Sequence, residues 1–272
     1  MAHGPAYFPT KGQCIYCAAT GVPLNDEHVV PYALGGTTVL RKASCAKCED
    51  ITKKFEQQVA RELWGDARTS YGAPTRRKRE RKDHIERSDP VNRERKYLVP
   101  AVEYPAGFIF YKMGPCGFLR GLSGDVDISG AWQLVVIDDG LRRDAFFQKY
   151  GHHHTIKFRH VPDAFGRLLA KIAYCQVLTA LDPGDFRPLI LPYITGEEKN
   201  LSHLVGSKDG QLETGLGYRL TTLYAEFADR MLLMVEARMY ANSQAPTYEI
   251  IVGDVSGTEE TQRAKDKLAR AS

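Results

Sequence analysis

The sequence predicts an α+β chain in which a small zinc-bound N-terminal module precedes a larger α+β domain. Two CxxC pairs, Cys14-Ile15-Tyr16-Cys17 and Cys45-Ala46-Lys47-Cys48, stand 27 residues apart near the start. Further on, strand-like segments lead into a strong helix and then into a closing run of strands, without the regular strand–helix alternation of a parallel sheet. The predicted divisions are a module over 10–67, a basic linker or arm over 68–97, an α+β domain over 98–260 and a polar tail over 261–272.

Two residues between cysteines let both thiolates of a tight turn face one tetrahedral ion, and two such turns complete its shell. Cys14, Cys17, Cys45 and Cys48 are therefore the expected ligands of a structural Zn2+, with no position left open for water. The second pair opens a predicted helix from Cys45 to Trp64. Ile51, Phe55, Val59 and Leu63 recur there every four residues as an apolar stripe, with Ser44 as N-cap and Gly65 as stop. Cys116 and Cys175 stand apart from these pairs and read as buried thiols.

Between Arg68 and Lys96 eleven Lys/Arg face five Asp/Glu, whereas the whole chain carries a formal net charge of only +4. The stretch has almost no aliphatic residues and contains Pro74 and Pro90, so an arm without a core of its own is expected. A confined positive block on a near-neutral body suits a polyanion, nucleic acid above all. Arg68, Arg76, Arg77, Lys78, Arg79, Arg81 and Lys82 are the candidate phosphate contacts; Lys53, Lys54 and Arg61 extend the track along the helix. Such contacts position a backbone without reading sequence, and DNA and RNA are not distinguished by them.

In the third zone, strands are expected at Val102–Tyr111, Trp132–Asp138, His154–His160, Tyr218–Phe227, Met231–Tyr240 and Tyr248–Val252. A helix is expected from Ala164 to Ala180, started by Pro162-Asp163 and stopped by Asp182-Pro183-Gly184. His152-His153-His154 lacks a Cys or acidic partner at metal-ligand spacing and reads as ordinary histidines at the start of a strand. Glu259–Ser272 is polar enough for a short exposed helix or for disorder. With 43% hydrophobic and 26% charged residues the chain has ample material for a core, and its apolar runs are too short to span a membrane. The opening MAHGPAYFPTKG lacks the charged and apolar regions of a secretory signal, which makes the cytoplasm the expected location.

The insert between the CxxC pairs contains Asn25-Asp26-Glu27-His28-Val29-Val30-Pro31, then Leu34-Gly35-Gly36. A carboxylate followed directly by His, a short apolar strand with Pro, a Gly-rich hairpin turn and a CxxC at the start of a helix together resemble the HNH (His-Me finger, ββα-metal) endonucleases. The resemblance covers about residues 14–64. It implies His28 as general base, Glu27 as metal ligand and Mg2+ or Mn2+ as the catalytic ion. Such chemistry suits these residue types: histidine deprotonates water near neutral pH, and a hard cation with oxygen ligands offsets charge building on the phosphate.

The family often places Asn or His directly after the last cysteine as a second ligand, where this chain has Glu49. It often has a polar residue five positions before the third cysteine, where this chain has Leu40. Glu56 shares the helical face of Glu49, about 20° away by the 3.6-residue period, and is a further candidate; a solvated surface glutamate is the simpler reading for it. Asp26 and Asp50 are held in reserve. On a regular strand Glu27 and His28 point to opposite faces, so both reach one site only through a local distortion.

The implied activity is metal-dependent cleavage of DNA, with RNA as a further substrate class, in a setting such as prokaryotic defence; a homodimer would allow one cut per strand. Two rival readings stand beside it. One is a zinc-bearing nucleic-acid-binding protein without catalysis, the other a nuclease held in check by a C-terminal sensor or oligomerisation domain.

Overall fold

The computed structural model describes residues 4–75, 79, 82–89, 92, 94, 96–151, 154–214, 217–255 and 257–271. The chain is mixed α+β. Strand β1 (Ala6–Phe8) lies parallel to β3 (Thr38–Cys45), and β2 (Leu24–His28) pairs with β3 on its other side in antiparallel register, Glu27 opposite Leu40 and His28 opposite Val39. The ladder shifts register between Asn25 and Glu27. Opposite that shift Lys42 adopts a left-handed backbone with φ 46°, and its N–H donates to the Asp26 carboxylate at 2.9 Å. The β2–β3 connection closes tightly: a Cβ on Gly36 would lie 1.8 Å from the Val30 carbonyl oxygen, so no other residue fits.

Cys45, in an extended conformation, caps α1 (Ala46–Gln58), while Ser44 stays buried in β3. Gly65 does not end the helical path. A π turn over Val59–Leu63 follows α1, and Gly65 opens α2 (Gly65–Ser70). The wider turn sends Trp64 inward, where its Nε1–H donates to the Ile109 carbonyl at 2.6 Å and its ring meets Phe110 and Phe165. Within the segment expected to be a bare arm, β4 (His84–Ser88) pairs with β5 (Lys96–Pro100). Ile85 and Val99 from this hairpin, with Tyr104 and Phe146, form a small second core.

The larger part of the chain adds β6 (Phe108–Lys112) paired with β7 (Gln133–Ile137), then α3 (Gly140–Tyr150) and α4 (Pro162–Val177). Short β8 (Arg187–Pro188), α5 (Leu191–Thr195) and β9 (Val205–Lys208) lead into β10 (Tyr218–Phe227), β11 (Arg230–Met239) and β12 (Thr247–Asp254). These strands form an antiparallel sheet in the order β10-β11-β12-β8, with β9 also against β12. Helix α6 (Thr258–Ala271) follows; Ala264 is buried and Leu268 packs on the core, so this polar tail is not merely an exposed helix.

Residues His154–His160 are not a strand. Their alternating pattern lies in an extended segment held by other elements: Tyr104 Oη–H donates to the Thr155 carbonyl, and Arg159 N–H to the Glu62 carbonyl at 2.8 Å. Helix α4 is buried along almost its whole length and sits between α1 on one side and β11 and β12 on the other. One hydrophobic cluster consequently runs from Cys14 through α1 and α4 to β12. Ala67, Ile85 and Val99, which lie on either side of the predicted breaks after 67 and 97, share the second core. No helix among the described residues is long and apolar enough to cross a membrane.

Candidate functional site

Two clusters of ionisable side chains lie on the β2–β3–α1 unit. At the first, Cys14 and Cys17 sit in a turn closed by Cys14 N–H to the Ala19 carbonyl and Ala18 N–H to the Cys14 carbonyl. Cys45 ends β3, and Cys48 falls in the first turn of α1. The four sulfurs all lie within 4.8 Å of one another, and Cys17 and Cys45 Sγ are 3.8 Å apart. Tetrahedral zinc with Zn–S bonds of about 2.3 Å sets its sulfurs roughly 3.8 Å apart, so the spacing fits that ion. Burial opposes a thiolate at Cys14, yet the Cys45 N–H and further main-chain donors hold its pKa down at about 7. Cys48 is pushed above its ordinary value by burial and by the neighbouring thiols. Crowded thiols cannot all ionise without a cation among them, and a divalent ion removes that conflict.

The second cluster lies in a cleft of about 320 Å3 between β2, the turn at Tyr32–Leu34 and one face of α1. Asp26, Glu27 and His28 line one wall; Glu49, Thr52 and Glu56 line the other. The structure thus brings the four candidate catalytic residues to one cleft, although the register shift precedes Glu27 and does not separate it from His28. The His28 ring packs against Tyr32 with centroids 5.8 Å apart. Glu49 accepts a hydrogen bond from the Asn25 side-chain amide and pairs with Lys53 Nζ at 2.7 Å. Asp50, the other reserve carboxylate, is exposed on α1 and does not line the cleft.

Glu56 is not a solvated surface glutamate. Lys171, from the middle of α4 and 0% exposed, places its Nζ 2.8 Å from Glu27 Oε1 and 2.9 Å from Glu56 Oε1. The same ammonium donates to the His28 carbonyl and lies 3.5 Å from the Val29 carbonyl. Burial pulls the Lys171 pKa down, but the Glu27 and Glu56 carboxylates outweigh it and hold the ammonium above its ordinary value. Burial is also the leading cause that raises Glu56, with Lys171 acting against it and Glu27 with it. An ammonium therefore fills the space between Glu27 and Glu56, and this pair does not fit a divalent ion in the arrangement seen. Among the described residues, only the four thiols form a set of three or more His, Cys, Asp or Glu donors close enough to share an ion.

Lys171 escapes a reading of the sequence by motif. Its signal is nonetheless present: it is the only charged residue between Arg167 and Asp182, in the middle of an otherwise apolar helical stripe. Arg68 lines the cleft, but its guanidinium donates to the chain's own Ala33, Ala60 and Pro74 carbonyls at 2.8, 2.9 and 3.3 Å. Thr75, where the basic arm begins, lines the same cleft. Arg79 and Lys82 are exposed; Arg76, Arg77, Lys78 and Arg81 lie outside the described residues. His152 and His153 do as well, while His154 packs edge-on against Tyr104. Cys116 and Cys175 are buried, and burial pushes the Cys175 thiol up to about 12. Comparison with protein-family models, curated proteins and solved structures finds no match to this chain.

Proposed function

We propose that the chain is an HNH-type endonuclease hydrolysing phosphodiester bonds of DNA, with the cleft beside His28 as its active site. One observation carries the reading: His28 ends β2 on one wall of a cleft whose other wall is the Glu49–Thr52–Glu56 face of α1. The thiolate cluster, with zinc bound, clamps the hairpin to the start of that helix and holds the two walls in register.

His28 would accept the proton of the attacking water, a step worth about 10²–10⁴-fold when a positioned side chain performs it. Lys53 and Arg61 on the cleft wall would hold the phosphate by charge, and the arm leaving at Thr75 would track the flanking backbone. A divalent ion, Mg2+ or Mn2+, would supply further charge neutralisation at the phosphate. Because Lys171 fills the Glu27–Glu56 pair, such an ion would turn to other carboxylates of the cleft, Glu49 and Asp26. The continuous core from Cys14 to β12 favours one working unit over a nuclease held in check by a separate domain.

A supercoiled-plasmid nicking assay with Mg2+, Mn2+ or EDTA, run beside His28→Ala, tests the reading. Metal-dependent nicking by the wild type that falls at least about 100-fold in His28→Ala is expected. Binding of DNA without cleavage by either form would favour the second reading, a zinc-bearing nucleic-acid-binding protein. The resident ammonium between the two carboxylates is the observation on that side. An RNA substrate in the same assay separates the two nucleic acids.

A further inference from the structure

Lys171 is the most deeply buried cation near the cleft, and it arrives from a helix more than a hundred residues away in sequence from the four oxygens that surround its ammonium. Four oxygens surround its ammonium: Glu27 Oε1, Glu56 Oε1 and the carbonyls of His28 and Val29. An ammonium has three protons to donate, so these oxygens satisfy it completely. Glu27, only 6% exposed, is equally dependent on it. Two carboxylates facing one point repel each other unless a cation sits between them. Removing the ammonium leaves the two carboxylates facing each other in a largely buried place with no cation between them.

We propose that Lys171 is a built-in cation of the cleft: it gathers Glu27, Glu56 and the His28 main chain into one arrangement and keeps divalent ions off the Glu27–Glu56 pair. Lys171 meets no substrate and is a positioning residue, acting through Glu27 and the His28 carbonyl. Its bearing on cleavage rests on the nuclease reading, whereas its bearing on ion binding does not. A chain that supplies this cation itself needs no external ion to bring Glu27 to Glu56, and α4 becomes part of the site.

The test is a Mn2+ titration of the full-length zinc-loaded protein without nucleic acid, following free Mn2+ by its electron paramagnetic resonance signal. In the wild-type background, Glu27→Gln and Glu56→Gln are expected to change Mn2+ affinity less than twofold. Lys171→Met is expected to bind Mn2+ at least tenfold more tightly than wild type, and adding Glu56→Gln is expected to remove that gain. A merely structural lysine would not create an ion site on removal. A tenfold fall in wild-type affinity on either single glutamine substitution overturns the proposal, as does unchanged affinity in folded Lys171→Met. Should Lys171→Met fail to fold, the two glutamine variants decide. Wild type that binds no Mn2+ supports the proposal and counts against the metal in the nuclease reading, so the two ideas fail separately.

Discussion

The thiol cluster and the carboxylate cleft belong to the same hairpin and helix, yet they solve the same electrostatic problem by opposite means. Cys14, Cys17, Cys45 and Cys48 converge within 4.8 Å and suit an ion taken from outside. Glu27 and Glu56 converge on an ammonium that the chain carries itself, on α4. The first arrangement is assembled from residues 14–48 alone and is conditional on metal. The second requires the rest of the fold to be in place and is permanent once it is. A clamp that depends on zinc thus stands beside a cleft whose charge balance depends on tertiary packing.

Removing the outside ion is expected to have the largest effect. Structural zinc contributes about 10–16 kcal/mol of apparent folding free energy in isolated zinc-finger peptides. Part of that is replaced here by the packing of Ile15, Tyr16 and Cys48 into the main core. Even about 4 kcal/mol lowers Tm by roughly 10 °C in a chain of this size. Cys45→Ser is expected to lose the single zinc per chain by elemental analysis and to show a fall of at least that size by calorimetry. Full zinc occupancy or an unchanged Tm would mean that the thiols are not a clamp, and the contrast would collapse.

Removing the internal cation is expected to come next. Breaking a buried ion pair by truncating one partner costs about 3–5 kcal/mol. Lys171→Met should lose that much in a denaturant titration, and adding Glu56→Gln should recover part of it because one stranded carboxylate is gone. Strict additivity of the two changes would show that the pair is not coupled. The pH dependence has a defined sign. Lys171 is held above its ordinary 10.5, so its contribution is complete below 10.5 and is lost only as pH climbs past it. Glu56 is raised above its ordinary 4.5, chiefly by burial, so its contribution is complete below 4.5 and is lost as pH rises through the higher folded value. Tm measured across this acid range should lose that slope in Glu56→Gln.

The same contrast separates what is legible in the sequence from what is not. The CxxC spacing reads directly because both ligands of each pair share one turn, and the four-residue stripe of Phe55, Val59 and Leu63 reads because helix period and burial coincide. Strands β10 and β12 are legible because β-branched and aromatic residues recur through them, while β11 shows itself by the apolar run Met231–Val235. What fails depends on distant partners. Ile85 and Val99 are buried in a cluster completed by residues from outside the hairpin, Ala67, Tyr104 and Phe146 among them, so a hairpin in a basic stretch leaves no local signature. The His154–His160 alternation lacks a neighbouring strand. Helix α3 does carry a local sign, Asp139 accepting from Arg142 N–H as its N-cap, which apolar periodicity alone misses. Glu27 and His28 are legible as candidates, but the counter-charge that defines the environment of Glu27 lies 144 positions downstream of it.

Among the basic candidates, Arg68 and the exposed pair Arg79 and Lys82 should behave differently. Arg68 spends its guanidinium on three carbonyls, and an ordinary hydrogen bond contributes about 0.5–1.5 kcal/mol net. Arg68→Ala is expected to cost roughly 2 kcal/mol of stability in the same denaturant titration. Arg79→Ala and Lys82→Ala should leave stability unchanged and weaken DNA binding equally across sequences. Each should also lower the salt slope by about 1, the share of one phosphate that is no longer neutralised. Equal salt slopes in wild type and both arm variants would remove the arm from the binding surface.

The smallest effect belongs to an ion pair of the same chemistry at the surface. Lys11 Nζ meets Asp182 Oδ1 at 2.8 Å, and Lys267 Nζ reaches the same carboxylate at 3.2 Å, tying α6 to the turn after α4. Asp182 is mostly exposed, and such pairs contribute about 0.2–1 kcal/mol because solvent screens them. The hydrogen bond from Lys11 leads in holding Asp182 below its ordinary 3.8, with Lys267 adding to it. A lowered carboxylate contributes stability above 3.8 and loses it as pH falls through the lower folded value, the opposite sense to Glu56. Asp182→Asn should therefore cost under about 1 kcal/mol at pH 7, shrink further in 1 M salt, and cost nothing once the wild-type carboxylate is protonated. Lys171→Met should lose a smaller share of its cost than Asp182→Asn in 1 M salt, since Lys171 is 0% exposed and buried pairs are screened much less than surface ones. If salt erased both losses alike, Lys171 would be reachable by solvent and the distinction between an internal and a surface cation would not hold.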